Sequence, residues 1–100
     1  MESIIVNMSN PYYLRDMGLL DDFVDRVNKI TDTSTKYVVV STGVALRFLN
    51  GLNDFFDDNK VEGKNYLTGE LRWLGSIFGV DIYVDPNFDF YYNEIKFYNY

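Results

Sequence analysis

The chain contains no cysteine and no histidine. Without cysteine there is no disulfide framework and no thiolate nucleophile. Without histidine the commonest general base and metal ligand is missing. No apolar run approaches the roughly 18–20 residues that span a bilayer, and the opening MESIIVNMSN has neither a basic leader nor a long apolar core. These absences predict a protein of a reducing compartment, with no membrane partner and no thiol or imidazole chemistry. Basic residues are also few, 9 against 15 acidic, for a net charge of −6. Such a surface repels phosphate backbones, so direct nucleic-acid binding is not expected.

What the chain does have is rings. Its 100 residues are 18% aromatic, chiefly Tyr and Phe, which predicts one domain over residues 1–100 with a ring-rich core. SIIVNM (3–8) reads as a strand closed by Ser9-Asn10-Pro11. In LLDDFVDRVNKI, Leu20, Phe23, Val24, Val27 and Ile30 recur at helical spacing, predicting an amphipathic helix over 20–30. YVVV (37–40) reads as a strand buried on both faces. Ser41 or Thr42 then caps a largely buried helix over 43–52. The glycine-rich stretch through Trp73 fits neither period and reads as a bent strand or a helical turn. VDIYV (80–84) and EIKFY (94–98) close the chain as strands. The fold class expected is α+β (mixed α/β), a single small domain with a central sheet of about four to five strands packed with two helices.

Catalytic and metal motifs fail on inspection. Alternation along GVDIYVDPN predicts that Asp81, Tyr83 and Asp85 face water, with Val80, Ile82 and Val84 on the dry side. On such a strand Asp81 and Asp85 lie roughly 13 Å apart, too far to share a bare metal ion. Asp85-Pro86-Asn87-Phe88-Asp89 begins like a calcium loop, but Phe90 and Lys96 occupy the positions that need Gly and Glu. Ser41 lacks the G-x-S-x-G frame of a nucleophile elbow. The reading is non-enzymatic, with no catalytic residue, no metal and no cofactor. Trp73, among Leu71, Leu74, Ile77 and Phe78, is expected as a core ring. The candidate partner-binding residues are Asp54, Asp57, Asp58 and Glu62 of an acidic loop, and Tyr91, Tyr92 and Tyr98 near the C-terminus.

Residues 20–99 carry one resemblance, in order and spacing. Tyr37-Val38-Val39-Val40-Ser41 with Val44, Ala45 and Leu49, followed by Leu74, Gly79, Ile82, Tyr83, Val84, Asp85 and Pro86, resembles the axial domain of tailed-phage major capsid proteins, a fold shared with encapsulins. The resemblance implies a viral structural or assembly module, in host cytoplasm or virion, working by protein–protein contacts. It also implies that the 53–65 and 86–93 loops form a subunit interface. The rival expectation is a small acidic phage protein that binds and inhibits a basic host protein. In either case the partner is a protein, a second copy or a host factor.

Overall fold

The computed structural model describes residues 3–32, 34, 36–57 and 70–100. Strand β1 (Ser3–Ile5) leads to helix α1 (Met17–Lys29), then β2 (Lys36–Val40) and helix α2 (Thr42–Gly51). A 3-10 turn at Asn53–Phe55 follows, then β3 (Arg72–Ile77), β4 (Val80–Val84) and β5 (Glu94–Asn99). The five strands form one mixed sheet in the order β1-β5-β2-β4-β3. Only β2 and β4 pair in parallel; the other neighbours are antiparallel. The expected class, a small α+β domain with two helices on a central sheet, is what forms.

Both helices cover the same face of that sheet. Phe23 of α1 meets Phe48 of α2 at 5.7 Å between ring centres and Phe97 of β5 at 5.4 Å. Around these rings Val38, Val40, Ile82 and Ile95 are fully buried. This corrects the reading of YVVV as buried on both faces: Tyr37 and Val39 point away from the helices and are only half-buried. An unbroken β-branched run does not distinguish a doubly covered strand from one whose second face carries a rim of other rings.

Capping explains the helix limits. The Asp16 carboxylate accepts from the Leu19 N–H at 3.0 Å, so α1 starts at Met17, before the apolar period becomes visible at Leu20. Ser41 caps α2, accepting from the Val44 N–H at 3.2 Å and donating to the Tyr92 carbonyl at 2.7 Å. One hydroxyl thus fastens the helix start to the β4–β5 connection. Gly43 is required there, because an added Cβ would lie 2.3 Å from the Phe90 carbonyl oxygen.

The ambiguous stretch around Trp73 is a strand with a bulge. The pairing register of β3 on β4 slips between Trp73 and Gly75, and Gly75 sits at φ +144° with the Phe56 ring pressed against it. The extra residue spoils the period-2 pattern, which is why neither period fits the sequence. Beyond it, β3 and β4 join through Phe78 and Gly79 alone, both at positive φ (52° and 78°), as in a type I′ hairpin turn.

Candidate interaction face

The face of the sheet opposite the helices is built from alternate residues of four strands: Tyr37 and Val39, Trp73, Asp81 and Tyr83, and Tyr98, with Tyr100 just past β5. Register fixes their neighbours, since Tyr37 lies level with Tyr98 and Asp81, and Trp73 opposite Tyr83. The Tyr37 ring stacks on Tyr98 at 5.3 Å and packs on Tyr100 at 4.8 Å and edge-on to Tyr83 at 5.8 Å. Asp81 is therefore not on a wet side. It is 5% exposed and Tyr83 is fully buried, which corrects the expectation that Asp81 and Tyr83 face water. Large rings on the flanking strands lean over the centre of the face and exclude solvent that a helix would otherwise displace.

A buried carboxylate requires hydrogen-bond donors, and two are present. Trp73 Nε1 donates to Asp81 Oδ1 at 3.2 Å, and the Tyr100 hydroxyl donates to Oδ2 at 2.5 Å. The Tyr83 and Tyr100 hydroxyls lie 2.9 Å apart. Tyr100 has one proton and directs it to a carboxylate that only accepts, so Tyr83 is the donor of that second bond. The order runs from Tyr83 through Tyr100 to Asp81. Burial first, and then the hydrogen bond to Asp81, hold the Tyr100 hydroxyl far above the usual phenol range, so it stays protonated. Trp73, expected as a core ring, instead stands half-buried on this face.

The partner residues expected from sequence do not converge. Asp54 forms an ion pair with Arg15 at 2.9 Å, which lowers its pKa. Asp57 Oδ2 accepts from the Gly79 N–H at 2.9 Å and from Ser76 Oγ at 3.1 Å, clamping the β3–β4 turn. Tyr91 and Tyr92 lie beyond the other end of β4, where Tyr92 packs on Phe88. Asp57 and the 86–93 loop are thus separated by the length of β4, roughly 13 Å at about 3.3 Å per residue. Tyr98 alone belongs to the aromatic face, 39% exposed. Asp58 and Glu62 lie outside the described residues. The signal for the face was present in sequence as a ring in each of four strands, Tyr37, Trp73, Tyr83 and Tyr98, but the strand order that gathers them was not.

Among the described residues no group of three or more acidic side chains is arranged to hold a metal ion, and no helix is long and apolar enough to cross a membrane. The Asp85-Pro86-Asn87 segment is a turn, with the Asp85 side chain accepting from the Asn87 N–H at 2.9 Å. The start of α2, at the carboxyl end of β2, is filled by the Phe90 carbonyl and Met8.

One ion pair sets a pH response. Hydrogen bonds from Lys36 and Ser34 lower the Asp32 pKa from 3.8 to about 2. A depressed carboxyl stabilises the fold above its unfolded pKa, and that contribution is lost as pH falls from about 4 toward 2. Asp32→Asn should therefore lower the thermal midpoint at pH 7, with the gap to wild type closing near pH 2. A gap of constant size would contradict the assignment.

Comparison of the chain with family models, curated proteins and solved structures yields no match.

Proposed function

We propose that the protein is a non-enzymatic module that works through protein–protein contacts made by the helix-free face of its sheet. The observation that carries this reading is the face itself: a ring surface tied to a buried carboxylate that is hydrogen-bonded through both oxygens, left without a covering layer among the described residues. Tyrosine and tryptophan lose little side-chain entropy on docking and are favoured in interface centres. The charged pair at its border, Glu94 and Lys96 at 3.1 Å, is self-neutralising. A chain of net charge −6 therefore presents one face on which a second copy can approach without like-charge repulsion. This agrees with the resemblance to the capsid axial domain and with a phage structural or assembly role in host cytoplasm or virion.

The test is solution mass by sedimentation over a wide concentration range. Wild type should self-associate, and Tyr98→Asp should weaken that association by at least about tenfold, as loss of a central ring usually does. Equal behaviour of the two proteins would overturn the assignment of the face. A second reading, the acidic inhibitor of a host protein, draws on Asp21 and Asp22, which α1 holds exposed on its outer side. It predicts a salt-sensitive complex with a basic target, lost in Asp21→Lys/Asp22→Lys and retained in Tyr98→Asp.

A further inference from the structure

The β3–β4 hairpin carries a conflict between sequence and backbone. Its two-residue turn needs positive φ at both positions, for which Asn-Gly or Gly-Gly is favoured. The first position holds Phe78, at φ +52°. A bulky L-residue is disfavoured in this left-handed region. The ring is 44% exposed, and among the described residues it stacks on no other ring. The turn is nonetheless held firmly, by the Asp57 carboxylate on Gly79 and Ser76 and by the Asp57 N–H donating to the Ser76 carbonyl at 2.7 Å. A strained, braced and half-exposed ring is suited to display.

A receptor of matching chemistry exists on the same chain. Between α2 and the far end of the β3–β4 hairpin lies an apolar groove of about 380 Å³ lined by Leu46, Leu49, Leu74, Val84 and Pro86, with Arg72 at its edge. A cavity of roughly 150 Å³ suffices for a benzene ring. Leu49 is 40% exposed. Arg72 is exposed and makes no ion pair among the described residues. The Phe78 tip is flanked by the carboxylate of Asp57, so the two ends of the hairpin are complementary in charge as well as in shape.

We propose that Phe78 of one copy seats in the α2–hairpin groove of a second copy, with Asp57 facing Arg72. Knob and groove occupy opposite ends of β4, so no copy can fill its own groove. The contact is heterologous, and each added copy leaves one knob and one groove free to continue a head-to-tail series. It uses none of the rings of the helix-free face and stands independently of the function assigned to that face.

The experiment pairs two variants in sedimentation velocity and thermal unfolding. Phe78→Asn supplies the residue that the turn favours, so its thermal midpoint should rise by roughly 4–8 °C while head-to-tail association weakens by at least about tenfold. Leu49→Glu, at an exposed helical position, should fold normally and lose the same association. Mixed in equal amounts, with Tyr98→Asp in both to silence the helix-free face, the two should form a heterodimer and nothing larger, because only the Phe78→Asn protein has an intact groove and only the Leu49→Glu protein an intact knob. Association of Phe78→Asn at wild-type strength, or no heterodimer in the mixture, overturns the proposal. A wild type that stays monomeric throughout does so too. Tyr98→Asp separates the two surfaces: it should leave this heterodimer unaffected when built into both variants.

Discussion

Replacing Arg47 with alanine should lower the unfolding free energy by about 2–6 kcal/mol, at about 1–3 kcal/mol for each of two buried carbonyls left without a donor. Arg47 is 4% exposed on α2 and has no carboxylate partner among the described residues. Its guanidinium instead donates to three backbone carbonyls: Gly43 at 2.8 Å, Met8 at 2.8 Å and Asn10 at 2.6 Å. Two of these acceptors belong to the segment between β1 and α1, which has no regular structure of its own at that point. The arginine therefore performs for this segment what a sheet ladder does elsewhere. Truncation leaves the Met8 and Asn10 carbonyls without their donor, while Gly43 keeps its helical partner, and it opens a cavity; both effects act in the same direction. Against a typical domain stability of about 5–15 kcal/mol the loss is severe. Denaturant unfolding measures it, and hydrogen exchange should show the loss of protection starting at residues 8–16. Arg47→Lys keeps the charge but not the planar fork, so it should recover only part of the stability. A loss below about 1 kcal/mol for the alanine variant would show that the carbonyls are satisfied by water instead.

The second large effect is expected at Asp81. Asp81→Ala removes the acceptor of both the Trp73 and the Tyr100 bonds, and at about 1–3 kcal/mol for each group left unpaired the cost should be roughly 2–6 kcal/mol. The lower part of that range applies if the half-exposed Trp73 and Tyr100 turn outward to water. Trp73 is the sole tryptophan, so its emission reports on this network directly and should shift to the red in the variant. Asp81→Asn keeps an acceptor for the Trp73 N–H and should hold most of the emission wavelength. Self-association through the helix-free face should weaken in Asp81→Ala even under conditions where the protein stays folded, because the rings lose their common anchor. Unchanged emission in Asp81→Ala would contradict the geometry of the network.

Local readings were sound where one residue or one short repeat carried the decision. Ser41 is the helix cap that its position before Gly43-Val44 suggested, and the Asp-Pro-Asn turn ends β4 as its composition required. Readings failed where a distant partner decided. The acidic residues at 54 and 57 looked free because Arg15 and the Ser76–Gly79 turn, which occupy them, lie far away in the chain. Arg47 drew no notice because a buried guanidinium that pairs with carbonyls leaves no mark in residue type. Phe78 is surrounded by apolar residues in sequence, yet a two-residue turn reverses the chain there and leaves its ring half-exposed.

The sequence by itself determined the elements: two helices, the strands around YVVV, VDIYV and EIKFY, and the absence of thiol and imidazole chemistry. These follow from periodicity and capping, which act over a few residues, and from composition. The tertiary structure alone decided which face of the sheet the helices cover, and hence that Asp81 and Tyr83 are buried on the other. It also decided that Asp57 and the tyrosine-rich loop lie at opposite ends of β4. Strand order and register are long-range choices, set by how apolar faces across the whole chain are buried together, and no short window of residues records them.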